Sequence, residues 1–420
     1  MSINRRLFLA AGAFASPVLT AASPLASARP EPKRRASVAT GADILAAQGW
    51  RRLSGRRTGV LSNPTGVLSN QDHIVDSLVE AGLAPVAVFG PEHGFRGSAQ
   101  AGGSEGDYTD PRTGVPVYDV YGADAGKLAR LLRTARVETL VFDIADVGAR
   151  SYTYIWSMYT AMVAAARTGA SLLVLDRPNP VGGAAYGPML DPAYSSGVGR
   201  NPIVQQHGMT VGELARHFNG EFLPADGGRP TELDVIEMRG WRRDLLFADT
   251  GLVWTPPSPN MPTPDTALVY PGTCLFEGTL LSEGRGTTRP FEIVGAPGID
   301  WRWREALESQ NLPGAAFRET YFVPTHHKFS GQTCGGVQVM VTRPGSFDAI
   351  RTAVAMLVTA RRLYPEVFGW REDRFIDKLT GSDRVRTMVD AGADTDEIVE
   401  SWRDELAQFR RTRRPYLLYR

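Results

Sequence analysis

Three glutamates set among glycines and arginines are the residues of this chain best suited to chemistry. Glu92 lies in Gly90-Pro91-Glu92-His93-Gly94-Phe95-Arg96-Gly97; the others stand in Phe276-Glu277-Gly278-Thr279 and Ser282-Glu283-Gly284-Arg285-Gly286. A buried carboxylate needs partners, so acids in irregular glycine-rich segments make poor core material. Two of them brought together would suit general acid–base work. The bland alternative is a surface loop whose Glu and Arg pair for less than about 1 kcal/mol. Further polar loops are Ser62-Asn63-Pro64-Thr65-Gly66, Asp143 with Asp146-Val147-Gly148-Ala149-Arg150-Ser151-Tyr152, and Asp176-Arg177-Pro178-Asn179-Pro180. Singly, each is as well explained by a turn or a helix cap worth about 1 kcal/mol. Together they point to a site.

Motifs for other chemistries are missing. Gly90, Gly94 and Gly97 lack the G-x-G-x-x-G spacing, and the stretch from Gly122 to Lys127 lacks both the spacing and the Ser/Thr of a phosphate-binding loop. There is no H-E-x-x-H helix and no G-x-S-x-G elbow. Glu92-His93 and His326-His327 are adjacent pairs, which rarely point at one ion. Neither a metal nor a cofactor is expected.

The elements that must position these residues follow an α/β pattern. From Gly41 to about Trp254, short apolar runs alternate with amphipathic stretches, the signature of βαβ units around a largely parallel sheet. Strands are predicted at 58–61, 85–89, 139–144, 171–175 and 233–236, and helices at 72–81, 125–134, 154–168 and 210–219. In an open α/β sheet, ligands bind beyond the carboxyl ends of the strands. The four polar loops of the first half each follow a predicted strand. The run from Thr255 to Pro264 holds five prolines, which exclude a helix or a central strand. It marks a boundary between a domain at 41–256 and a smaller α+β domain at 265–420. Beyond it an irregular glycine-rich segment is expected to about Pro297, then a strand at 336–342 and helices at 347–363 and 395–410. The last helix carries Ile398, Trp402, Leu406 and Phe409 as one apolar stripe, read as a core face.

Residues 1–28 read as a twin-arginine signal peptide: Arg5-Arg6 before Leu7-Phe8-Leu9, an apolar stretch to Leu19, and Ala26-Ser27-Ala28 as a cleavage site. Gly12, Ser16 and Pro17 interrupt the apolar run, which is too short to cross about 30 Å of hydrocarbon. A linker at 29–40 follows, its Lys33-Arg34-Arg35 a solvated tail. No later segment is apolar for long enough to span a bilayer, so a periplasmic or secreted protein without stable membrane insertion is expected. Subtracting the charges of Arg5 and Arg6 from the chain's +1 leaves −1, which argues against nucleic acid as a partner. After removal of the signal, about 390 residues suggest about two domains. Cys274 and Cys334 are too few for a disulfide framework or a zinc site; one bridge and two free thiols are equally open. Nothing in the sequence sets the oligomeric state.

Several phrases carry a resemblance. Gly59-Val60-Leu61-Ser62-Asn63-Pro64-Thr65-Gly66, Phe89-Gly90-Pro91-Glu92-His93-Gly94, Asp143-Ile144-Ala145-Asp146-Val147-Gly148-Ala149-Arg150-Ser151-Tyr152-Thr153-Tyr154 and Leu175-Asp176-Arg177-Pro178-Asn179-Pro180 come first. They are followed by His207-Gly208-Met209-Thr210, Pro257-Ser258-Pro259-Asn260-Met261-Pro262-Thr263, Ser282-Glu283-Gly284-Arg285-Gly286-Thr287-Thr288 and Pro415-Tyr416-Leu417-Leu418-Tyr419. In this order, from about Gly41 to the C-terminus, the chain resembles the bacterial exo-β-N-acetylmuramidase family typified by NamZ, also called YbbC. The resemblance implies a Rossmann-like N-terminal domain without nucleotide, a smaller C-terminal domain and an active site in the cleft between them. It also implies release of N-acetylmuramic acid from the non-reducing end of peptidoglycan fragments.

On that reading Glu92 and Glu283 face each other as the carboxylate pair, with His93 beside Glu92 and with Glu277, Asp143 and Asp146 in reserve. Glu92 is assigned as the acid, because apolar and turn-forming neighbours exclude water from it. The other carboxylate activates water or attacks the sugar, unless the substrate's own 2-acetamido group attacks its anomeric carbon. The lactyl carboxylate calls for an arginine fork from Arg150, Arg177 or Arg285, with Arg96 behind them. Asn63, Asn179 and His207 are candidates to hydrogen-bond the sugar, and Tyr152 or Tyr154 to stack on it, although packing is the commoner role of such tyrosines. Two alternatives are a non-catalytic muropeptide-binding protein and an amidase or esterase, the latter disfavoured by the missing nucleophile motif.

Overall fold

The computed structural model describes residues 37–420; the expected signal peptide and most of the expected linker lie outside the described residues. Twelve strands follow in chain order: β1 Thr58–Ser62, β2 Ala87–Gly90, β3 Tyr108–Thr109, β4 Pro116–Asp119, β5 Thr139–Asp143 and β6 Ser171–Leu175, then β7 Tyr186–Met189, β8 Val204–Gln206, β9 Leu233–Ile236, β10 Ile293–Ala296, β11 Ala315–Phe322 and β12 Cys334–Val341. Seven form one sheet in the order β3-β4-β2-β1-β5-β6-β9. Every neighbouring pair is parallel except β3 with β4. From β1 the chain builds outward through β2 and β4, then returns to add β5, β6 and β9 on the other side. The topological switch point therefore lies between β1 and β5.

Strand periodicity explains the two cores. Val60, Val88, Val141 and Leu173 point to one face and meet Ala42, Leu45, Ile74 and Leu78 from helices Gly41–Ala47 and Ile74–Glu80. The next residue of each strand, Leu61, Phe89, Phe142 and Val174, points the other way, towards helices Ala125–Thr134, Tyr154–Thr168 and Val211–Glu221. With helices on both faces, β1 and β5 are buried at every position, as central parallel strands are. Local signals begin and end the helices. Thr210 and Glu213 form a capping box at Val211–Glu221, and Gly169, at φ 80°, ends Tyr154–Thr168.

In the C-terminal part, β10, β12 and β11 make an antiparallel sheet. Trp303, Val337, Val354 and Leu357 share its core with helix Ala349–Leu363. The described residues, 37–420, fall within one compact unit.

Three expectations are revised. β3, β4, the β7–β8 pair and β11 escape the sequence: the first four strands are two to four residues long, β4 starts at an exposed proline, and β11 exposes Arg318 and Glu319 at its middle. The segment expected to be irregular to residue 297 contains helix Pro264–Thr273 and β10. Proline is tolerated at a first helical position, where no N–H is needed, and the Thr263 side chain accepts from Thr266 N to cap that helix. The predicted helix at 395–410 is two helices, Thr395–Glu400 and Arg403–Thr412. Three residues of its stripe are buried, in two places: Ile398 and Trp402 join the C-terminal core, Phe409 joins the core of the parallel sheet, and the partly buried Leu406 packs against both.

Cys274 and Cys334 are buried free thiols. Among the described residues no helix is long and apolar enough to cross a membrane, and no three His, Cys, Asp or Glu side chains cluster as metal ligands would.

Candidate active site

Glu92 lies two residues beyond the end of β2. His93 and Gly94 turn the chain sharply there, with φ of 69° and 89°. The Glu92 side chain is clasped on both oxygens: Oε1 accepts from Gly102 N at 3.0 Å and Oε2 from Thr153 Oγ1 at 2.8 Å. Thr153 is the N-cap of helix Tyr154–Thr168, so the carboxylate sits at the positive end of a helix dipole. His93 is buried and its Nδ1–H donates to Ala99 O at 3.0 Å.

Glu277 comes from the C-terminal half, on the 3₁₀ turn Cys274–Gly278 that prolongs helix Pro264–Thr273. Its Oε2 accepts from Arg285 Nη2 at 3.0 Å. The same guanidinium places Nε 3.1 Å from Glu283 Oε1 and lies over the Phe291 ring at 5.0 Å. Behind it, Glu283 Oε2 meets Lys328 Nζ at 2.9 Å, and that ammonium also donates to the carbonyls of Phe276 and Leu281. His327 Nδ1 is 3.3 Å from Glu283 Oε1. A chain of alternating charge thus runs inward from Glu277 through Arg285 and Glu283 to Lys328.

Glu92, Glu277, Arg285 and Asn260 line two adjoining recesses. One, of about 620 Å³, is walled by Tyr152, Tyr154 and Phe291. The other, of about 1140 Å³, opens outward past His326 and His327. Glu277 keeps 21% of its side chain exposed at this wall, whereas Glu283 keeps none and does not line the cavity. Burial raises the Glu277 carboxyl above the usual range, the charge of Glu283 adds to the rise, and Arg285 only partly opposes it. Burial pulls Arg285 down, but its two carboxylates outweigh that and raise it.

Of the side chains expected here, Glu92, His93, Tyr152, Tyr154, Glu277 and Arg285 meet in the cavity. The others lie elsewhere and hold the scaffold. Asn63 Oδ1 accepts from Thr65 N and Oγ1 and shapes the turn after β1. Arg177 forks onto the fully buried Asp143 at 2.6 and 2.8 Å. Arg150 is wholly buried, donating to the carbonyls of Pro188, Ile203 and Leu379, and burial lowers it to about 10. Asn179 bridges Val181 N and Met209 O. His207 donates through Nε2 to Asp146 Oδ2 at 3.0 Å, since its Nδ1 accepts from Met209 N. Arg96 is paired with Asp76 and Asp110.

Two residues of the cavity escaped the sequence reading. Thr153 stood only as the residue before the predicted helix, within the phrase from Asp143 to Tyr154, and Asn260 lay in the proline-rich boundary. Asn260 is only 8% exposed, yet its amide makes no hydrogen bond with any described residue. An asparagine in a proline-rich run free of secondary structure was the available signal.

Comparisons with known proteins agree over nearly the whole chain. The family model described as "Exo-beta-N-acetylmuramidase NamZ, N-terminal" matches residues 58–265, and its C-terminal counterpart matches residues 268–419. The peptidoglycan beta-N-acetylmuramidase NamZ of Bacillus subtilis (strain 168) is 45% identical over 405 residues, covering 96% of each chain. Crystal structures of two DUF1343 family proteins from Bacteroides fragilis NCTC 9343 are each 33% identical. One has a TM-score of 0.84 over 93% of this chain and 100% of its own, the other 0.74 over 91% and 99%. With both halves matched in order and Glu92 and Glu277 drawn from separate halves into one cavity, the chain belongs to the exo-β-N-acetylmuramidase NamZ family.

Proposed function

We propose that this chain hydrolyses the glycosidic bond of N-acetylmuramic acid at the non-reducing end of peptidoglycan fragments, with Glu277 and Glu92 as its working carboxylates. The observation that carries the reading is the pairing of two unlike acids in one cavity. Glu277 is pushed up by burial and by Glu283, which suits it to give a proton to the departing oxygen. Glu92 accepts on both oxygens and receives the proton of an attacking water, or steadies the acetamide N–H if the sugar's own carbonyl attacks. This reverses the assignment favoured by sequence, because Glu277 has a second carboxylate, Glu283, across Arg285 to raise its pKa. Glu283 positions Arg285 from behind. With Nε and Nη2 occupied, Arg285 offers Nη1 to the lactyl carboxylate, and Asn260 offers its free amide to the sugar.

A chromogenic N-acetylmuramide tests the proposal. Wild type turns over, while Glu277→Gln and Glu92→Gln each lose about 10² to 10⁴ in kcat. An inert wild type that still binds muropeptide in calorimetry makes the protein a binder instead. NMR of the first-released anomer separates direct inversion by water from retention through the acetamide or a covalent intermediate.

Export completes the reading. Arg5-Arg6 and Ala26-Ser27-Ala28 support passage by the twin-arginine route to the periplasm or beyond. Changing Arg5→Lys together with Arg6→Lys is expected to leave uncleaved protein in the cytoplasmic fraction; full export of that variant refutes this route.

A further inference from the structure

The crevice at the switch point of the sheet belongs to a different cavity. It lies between the loop after β1, at Thr65 and Val67, and the loops after β5 and β6, at Asp146 and Arg177. It shares no lining residue with the two carboxylate recesses. Its outer wall is apolar, formed by Phe247, Leu252, Val253 and Trp254, with the Phe247 and Trp254 rings edge to face at 4.8 Å.

Two polar side chains in this lining have unused capacity. Arg177 spends Nε and Nη2 on Asp143 and on Val67 O, which leaves Nη1 without a partner among the described residues. Asp146 spends Oδ2 on Gly148 N and His207 Nε2, while its Oδ1 is buried with no hydrogen bond. A buried acceptor left unpaired, like Asp146 Oδ1, is rare in folded proteins. A donor and an acceptor in the lining of one cavity, under an apolar outer wall, complement a secondary amide, whose carbonyl would accept from Arg177 and whose N–H would donate to Asp146. A bare anion fits less well, because Asp143 already balances the Arg177 charge.

We propose that this cavity is a second binding site, for a small ligand carrying a secondary amide on a compact apolar body. Acetamido sugars and N-acylated alanyl peptides both present that chemistry. The site does not depend on the hydrolytic reading.

Isothermal titration of the full chain with N-acetylglucosamine, and separately with N-acetylalanine methylamide, tests it. Binding of either probe that falls at least tenfold in Asp146→Asn supports the proposal, and the probe that binds identifies the source. In that variant an amide oxygen can still serve Gly148 and His207, while an NH₂ group replaces Oδ1 and confronts the ligand's N–H. Where Asp146→Asn does not fold, Val253→Trp decides instead, since Val253 is 62% exposed at the mouth and the larger ring blocks entry. Asn260→Ala, in the other cavity, leaves the affinity unchanged. Absence of binding by both probes at millimolar concentration overturns the proposal, as does binding weakened by Asn260→Ala alone.

Discussion

At the scale of the residue, the site turns on unequal surroundings for similar acids. Glu277 and Glu283 share Arg285, but Glu277 faces the cavity and Glu283 is sealed behind it between Arg285 and Lys328. The negative charge of Glu283 helps raise the Glu277 pKa. An acid catalyst loses activity as pH rises through its pKa, so the alkaline limb of kcat/KM reports Glu277. Glu283→Gln removes the neighbouring charge and leaves Arg285 and Lys328 less balanced, both of which lower the Glu277 pKa. The alkaline limb is therefore expected to move to lower pH in Glu283→Gln; an unmoved limb means that Glu277 is not the acid. The sequence showed three candidate glutamates in glycine-rich segments but not which two share a cavity. Glu277 and Glu283 are six positions apart, and only the bend of the chain between them decides which carboxylate faces outward.

Elements set the aim of these side chains. Helix Tyr154–Thr168 was legible from its apolar spacing to the residue, as were β6 and β9. Its start does more than begin a helix, because Thr153 makes no side-chain cap bond and instead donates to Glu92. Thr153→Val is expected to lower kcat/KM by about 10- to 100-fold, the value of one hydrogen bond to a charged group. The urea midpoint should stay near wild type, since no capping bond is lost. A large fall in the midpoint with full specific activity would assign Thr153 to the fold alone. The C-terminal stripe teaches the converse lesson. Periodicity showed that Ile398, Trp402 and Phe409 are buried, but a 3.6-residue repeat cannot say that the helix breaks and delivers them to two cores.

Across the whole molecule, the last residues close back onto the sheet. Arg413 donates to the carbonyls of His207, Gly208 and Gly183, and Tyr419 OH donates to Asp176 at the end of β6. Two buried histidines add a pH limit to this assembly. His73 accepts from Val75 N on Nδ1 and donates from Nε2 to Asn63 O, a pattern only the neutral ring provides. His217 lies among the rings of Phe222, Phe409 and Tyr416 with neither nitrogen bonded. Burial lowers each to about 4. Between pH 6.5 and 4 the unfolded chain binds protons there that the folded chain does not, so stability falls as pH falls through that window. Urea midpoints are expected to drop from pH 7 to pH 4, and less steeply in His217→Phe; an equal slope in that variant refutes a role for this ring.

Local pattern by itself determined the parallel sheet, the helices that flank it, the loops rich in polar residues and the family phrases that run through them, because periodicity, caps and turn chemistry are properties of neighbours in sequence. Tertiary structure alone decided which of those polar residues meet. Arg150, Asn179 and His207 resemble site residues in sequence, yet they spend their hydrogen bonds on backbone and a buried acid. Asn260, hidden in a run of prolines, keeps its amide free in the cavity. The reason is that a polar side chain is defined by its partners, and most of those partners come from distant parts of the chain.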